Sequence, residues 1–275
     1  MILGGTKGRH LGATPDELSK LPYGHFWNPD VRPISGDARQ AAIESPFAGP
    51  LLPPIEDTSW ASGPAPGALE NGYSLVDGAL HVAERTPMPG VTPAMIDWWF
   101  GWHSDEPTRY KLWHPRAHVH AEWASPPTHD GPGRHIGQTS IVDEYLGAAL
   151  GRFAIRFLDP SELGLPKRAL DEEVFICARV GFAEIPLDAG YLIHQVRRIE
   201  GGAEMRSRFW IGGKNASLRA GFLGDLIMPL ARALKQPTAR EGHDLLVHCA
   251  QEMAHLATFL PAIHAARRSD VTQGI

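Results

Sequence analysis

Asp244-Leu-Leu-Val-His-Cys-Ala-Gln-Glu-Met-Ala-His255 decides how this chain is read. It sits inside an amphipathic run over 240–260 whose spacing predicts one long helix, ended by Pro261. Side chains four apart on a helix stack one turn above another, so His248 and Glu252 share a face and His255 extends it. An imidazole and a carboxylate placed this way can fill two positions of one divalent metal. The same spacing also suits a solvated ion pair. Leu245, Leu246, Cys249, Met253 and Leu256 argue against that, because they make the helix apolar over much of its surface.

Upstream of this helix the chain reads mainly as strands. Apolar runs bounded by turn residues predict strands over 118–123, 136–146, 152–158, 173–184, 189–199 and 204–211, with Gly201-Gly202 as a hairpin turn. Residues 74–84 read as an earlier strand. Two short helices follow it: Thr92 caps one with Pro93 at its first position, and the other covers 107–113 before Pro115. A further helix is expected over 223–234. Strand, two short helices, a series of strands and a long C-terminal helix make an α+β chain of the helix-grip plan, Bet v 1-like or START-like. A curved antiparallel sheet then encloses a cavity against the helix, a natural ligand site. Residues 1–72 are Pro- and Gly-rich and read as an arm with one short helix at 15–21, capped by Thr14; the main body runs over 73–275. The arm's aromatics, Tyr23, Phe26, Trp27, Phe47 and Trp60, are expected to pack on the body or on a second subunit.

Bulk composition narrows the function. The 275 residues are 43% hydrophobic, enough for a sizeable core, and carry a net charge of -5. No Lys/Arg run of five occurs, so a nucleic-acid or membrane-surface partner has no electrostatic support. No apolar stretch is long enough to span a bilayer, and the N-terminus has no apolar core of a secretion signal. Cys177 and Cys249 read as small buried hydrophobes, which fits a reducing cytoplasm.

A hydrolytic metal site needs fixed ligands and an open position. The second ligand-rich stretch, His114-Pro-Arg-Ala-His118-Val-His120, supplies more histidines, and Ile141-Val-Asp-Glu-Tyr-Leu146 supplies acids in an apolar strand. A buried charge there is costly unless paired or bound to metal. Alternation puts Val142 and Glu144 on one face and Asp143 and Tyr145 on the other. His118 and His120 should share a strand face, so either can reach the helix. His114 serves equally as a helix terminator. His255 reads as a core or supporting histidine, His194 as a sheet histidine that can face the cavity, and Asp143 as a group that orients a histidine. Trp98, Trp99 and Trp102 read as core. Gly201-Gly202 and Gly212-Gly213 match no phosphate loop, and no Gly-x-Ser-x-Gly is present.

Three segments together carry a resemblance: Met88-Pro-Gly-Val-Thr-Pro-Ala-Met-Ile-Asp-Trp-Trp-Phe-Gly-Trp-His103 running into Arg109-Tyr-Lys-Leu-Trp-His-Pro-Arg-Ala-His118, then Val142-Asp-Glu-Tyr145, then His248-x-x-x-Glu252. The chain resembles the 2,4-diacetylphloroglucinol hydrolase and phloretin hydrolase family of zinc-dependent carbon–carbon hydrolases. The resemblance implies a Bet v 1-like catalytic domain, a homodimer, and zinc (Zn2+) on His118, Glu144, His248 and Glu252, with His114 in reserve. It implies a small acylated polyphenol as substrate, cut by a retro-Claisen hydrolysis that releases a carboxylic acid. Tyr110, Glu252 and His194 are the catalytic candidates, with Glu252 or Glu144 exchanging between ligand and proton carrier. Tyr110 also holds substrate. Ala121 stands where the family has an asparagine and Phe209 where it has a tyrosine, so the oxygens of the substrate are held differently here. Two other readings of the same residues are a non-catalytic carrier of an aromatic ligand and a metal-dependent oxygenase or lyase.

Overall fold

Local signals at the element starts are realised. In a computed structural model of the chain, which describes residues 9–63, 69–166, 169–221, 228 and 236–273, Thr14 caps helix α1 (Pro15–Ser19) in a capping box with Glu17. Thr92 caps α3 (Pro93–Trp102), and α4 is Pro107–Trp113. The arm holds one helix more than its composition suggested, α2 (Gly36–Glu44), capped by Ser35. The helix expected over 223–234 lies outside the described residues.

The strands are β1 (Gly72–Val76), β2 (Ala79–Pro89), β3 (His118–Trp123), β4 (Thr139–Leu146), β5 (Ala149–Leu158), β6 (Glu173–Phe182), β7 (Leu187–Ile199), β8 (Gly202–Gly212) and the short β9 (Ser217–Leu218). They form one antiparallel sheet in the order β1-β2-β8-β7-β6-β5-β4-β3, with β9 on β7. Three readings need correction here. The single strand over 74–84 is a hairpin, because Asp77 and Gly78 both take positive φ (51° and 73°), the geometry of a two-residue turn. The turn between β7 and β8 is Glu200-Gly201, since Gly202 already pairs with Ile199 and Pro89. The strand expected from 136 starts at Thr139, after turns at Gly133 and Gly137.

Helix α5 (Ala239–Gln273) does not end at Pro261 but runs through it. Proline removes one helical N–H, yet Leu260 and Ile263 beside it are fully buried, and that burial carries the helix on. α5 touches β2 near one end of the strand order and β4 near the other, so the sheet curls round it. This is the α+β, Bet v 1-like helix grip.

The run in β6 reads as continuously apolar because both its faces are covered. Ile176 and Ala178 point to the core under α5, whereas Phe175 and Cys177 point to the back of the sheet. There they meet Leu52, Ile55 and Trp60 from the arm, with Trp60 set at 6.2 Å from Trp210 and 6.4 Å from Phe175. Tyr23 packs edge-on to Trp102 at 5.3 Å. Both cysteines are free and buried. Among the described residues no helix is long and apolar enough to cross a membrane.

Candidate active site

The centre of the site is a histidine whose protonation is set by the helix before it. His118 opens β3 directly after α4, and its Nδ1 lies 2.9 Å from the Tyr110 carbonyl. A carbonyl only accepts, so Nδ1 carries the proton and Nε2 is a bare lone pair. The Tyr110 ring stacks on His118 at 3.7 Å and 3°, which fixes the imidazole plane. Nε2 is fully buried without a hydrogen-bond partner among the described residues, and it faces Glu144 Oε2 at 3.5 Å and Glu252 Oε2 at 3.4 Å. His248 Nε2 stands 3.6 Å from Glu144 and 3.7 Å from Glu252.

A lone pair aimed at two carboxyl oxygens calls for a shared proton or a cation between them. Burial and the neighbouring His248 and His114 drive the His118 pKa well down, so His118 does not supply that charge itself. Ligand atoms of His118, Glu144 and His248 lie within 4.8 Å of one another, a spacing a single cation fits. Imidazoles with carboxylates form the donor set of a borderline divalent metal. Glu252 stands outside this group of three, but its Oε2 approaches both histidines, at 3.4 and 3.7 Å.

The remaining charges fit a mixed proton distribution. Burial pushes Glu252 up to about 8, helped by Glu144 and Glu84 and opposed by His248. Burial acts the same way on Glu144, but hydrogen bonding and charge from His248, with the Tyr110 hydroxyl, hold its carboxyl below the usual range. Tyr110 donates its hydroxyl to Glu144 Oε2. Burial and the Glu144 charge keep that phenol protonated.

A bulge chooses among the histidines of the upstream stretch. His118 pairs with Glu144 but His120 pairs with Asp143, one residue out of step. The extra residue turns His120 to the outer face, beside Glu122 at 3.4 Å. The expectation that His118 and His120 share a face is therefore corrected. Asp143 is also outside: it pairs with Arg9 and Arg152 and orients no histidine of the cluster. His114 lies behind the site, stacked on His248 at 5.1 Å and bonded to Gln251 at 3.3 Å. His255 is buried against Phe259, a core position.

The cluster opens into a cavity of about 710 Å³ between sheet and α5, lined by Phe100, Trp113, Phe153, Phe157 and Phe209 among others. Tyr110 and His194 also face it. His194 is held by Ser207 Oγ at 2.8 Å, and burial pushes its pKa down to about 3. Ala121 is fully buried in the core and is not among the cavity-lining residues.

Sequence reasoning gave no role to three groups near the cluster. His103 ends the aromatic block of α3 and lines the cavity. Ser140, also in the wall, bonds Ser104 at 2.7 Å. Glu84 is fully buried on β2, accepting from Thr86 at 2.6 Å. Only His103 had a signal, its place four residues after Trp99 on one helical face.

Comparison with known proteins finds named relatives over most of the chain. The 2,4-diacetylphloroglucinol hydrolase of Pseudomonas sp is 30% identical over 260 residues, covering 88% of this chain and 87% of that protein. Phloretin hydrolase of Eubacterium ramulus is 27% identical over 276 residues, 96% of each chain. A solved structure, the major latex-like protein 151 of Panax ginseng, aligns over 65% of this chain and 98% of its own at 11% identity, with a TM-score of 0.33. The DAPG hydrolase PhiG domain matches residues 51–265, most of the body and its helix. The chain is an enzyme of the DAPG hydrolase family.

Proposed function

We propose that the chain hydrolyses the carbon–carbon bond between an acyl group and the ring of an acylphloroglucinol, with zinc held by His118, Glu144, His248 and Glu252. The observation that carries the reading is the bare His118 Nε2, facing the carboxyl groups of Glu144 and Glu252, which line an aromatic cavity. The bound metal would supply Lewis acidity at the acyl carbonyl and activation of water. Overall, water adds its oxygen to the acyl carbon and the carbon–carbon bond breaks. The bonding pair passes to the ring, spreads onto its oxygens as a phenolate, and takes a proton back on carbon. A carboxylic acid and a phenol result.

The chain's own groups have distinct tasks. The stack on Tyr110 and the bond to its carbonyl keep His118 aimed at the cluster. The Tyr110 hydroxyl holds Glu144 in place. Glu252, exchanging between metal ligand and proton carrier, is placed to take a proton and return it to the ring carbon. His194 presents a neutral imidazole in the cavity wall, and Phe209, edge-on to it at 6.2 Å, an apolar face. The phenyl walls exclude water from the leaving ring.

The test is metal content and acid release, wild type beside His248→Ala. About one zinc per chain and acid released from acylphloroglucinols, both lost in the variant, would support the reading. Metal-free wild type, or a fully active variant, would end it. A homodimer in the cytoplasm, with residues 1–72 as lid or brace, belongs to the same reading. Sedimentation of the full chain tests the dimer.

A further inference from the structure

His103 is a buried histidine that the reaction above leaves without a task. It caps the C-terminus of α3, is only 2% exposed, and lines the cavity on the wall that carries Tyr110. Its Nδ1 lies 3.0 Å from the Trp99 carbonyl. The carbonyl can only accept, so Nδ1 is the protonated nitrogen and Nε2 is an acceptor. His194 differs: its partner is a hydroxyl, which can donate or accept, so that contact leaves its tautomer open. Nε2 of His103 has no hydrogen bond among the described residues.

The ring cannot turn away from the cavity. It stacks on Trp99 at 6.0 Å and 19°, and Phe100 and Trp113 meet it edge-on at 5.6 and 5.3 Å. Burial pushes its pKa down to about 4, so it is neutral near pH 7. Its polar neighbours on this wall are engaged: Ser140 with Ser104, and Tyr110 with Glu144. A fixed acceptor in an apolar wall selects a ligand that brings a donor. The His103 and Tyr110 ring centroids are 5.8 Å apart, so the two rings share one stretch of the cavity wall.

We propose that His103 is a substrate-binding residue whose Nε2 accepts a hydrogen bond from a ring hydroxyl of the acylated phenol, so that the enzyme selects free phenols over their O-alkyl ethers. This rests on the acylphloroglucinol reading above. It assigns the ring's hydroxyl to α3, away from the positions that Ala121 and Phe209 leave without polar groups.

Calorimetric binding of phloroglucinol and of its trimethyl ether tests it, in wild type, His103→Phe and His103→Gln, with metal content and melting temperature measured alongside. Wild type should prefer phloroglucinol by about 10-fold or more. The phenylalanine variant should lose that preference by weakening phloroglucinol alone, with metal content unchanged. The glutamine variant, which keeps an acceptor, should retain part of it. Equal binding of the two rings by wild type would overturn the inference even if no variant folds. A preference that persisted in His103→Phe would be steric and would overturn it too. Acid release from acylphloroglucinols, assayed separately, reports on the reaction: its absence with the ring preference intact would remove the hydrolase reading and leave this contact standing.

Discussion

At the scale of single residues, the Tyr110 hydroxyl and the Glu84 carboxyl give the sharpest expectations. Tyr110 touches the cluster three times, through its carbonyl and its ring to His118 and its hydroxyl to Glu144. Tyr110→Phe removes only the hydroxyl contact. Zinc affinity should fall roughly 10- to 100-fold, measured by competition with a chelator; unchanged affinity would show that the hydroxyl does not position Glu144. Glu84 bears on stability. Burial raises its pKa to about 7 against the 4.5 of an unfolded chain. Between those values the folded state holds the extra proton, so stability falls as pH rises from 4.5 through 7. The loss amounts to about 3 kcal/mol. Denaturation of wild type beside Glu84→Gln at pH 5 and 8 checks this: the variant should gain relative stability at the higher pH. The clustered acids and histidines were legible because such groups are costly in apolar segments. Which upstream histidine belonged to the cluster was not, because a one-residue bulge leaves no trace in alternation. Glu84 was invisible for another reason: alternation with Thr86 on one strand face does not tell a buried face from a solvated one.

Among the elements, those with chemical punctuation were readable and those without were not. Thr92-Pro93 starts α3 and Thr14-Pro15 starts α1, since a capping oxygen and a preset φ act locally. Asp77-Gly78 is equally local, yet apolar residues on both sides let the hairpin read as one strand. Pro261 misled in the other direction, because the burial that carries α5 past it comes from the tertiary core. Close backbone approach sets another limit on the sheet. A Cβ built on Gly190 would fall 2.0 Å from the Trp210 carbonyl oxygen, a backbone atom that cannot step aside. Gly190→Ala should therefore disturb the β7–β8 pairing and cost roughly 1–3 kcal/mol or more, read from urea unfolding. A neutral result would mean that the two strands can part without loss.

For the whole molecule, the order of elements carried the fold, because a curling sheet and one long closing helix have few ways to bury their apolar faces together. The cavity's polar groups were less legible: His103, Ser140 and His194 come to line one cavity only once α3 and the sheet have closed. The proposed ligands come from β3, β4 and α5, so a metal there ties helix to sheet. Stripping it should lower the melting temperature by roughly 5–10 °C, restored by zinc in wild type and unaffected by zinc in His248→Ala. A melting temperature indifferent to chelation would mean that the grip closes unaided.

The aromatic wall has a spectroscopic consequence. Of the eight tryptophans in the chain, Trp113 is the one that lines the cavity among the described residues. An acylated phenol absorbs where indole emits, so a bound molecule would drain the excited state of Trp113 by energy transfer. Occupancy can then be followed as quenching of the native emission in unlabelled protein, with Trp99, 6.1 Å from Trp113, drained alongside it because energy transfer reaches well beyond contact.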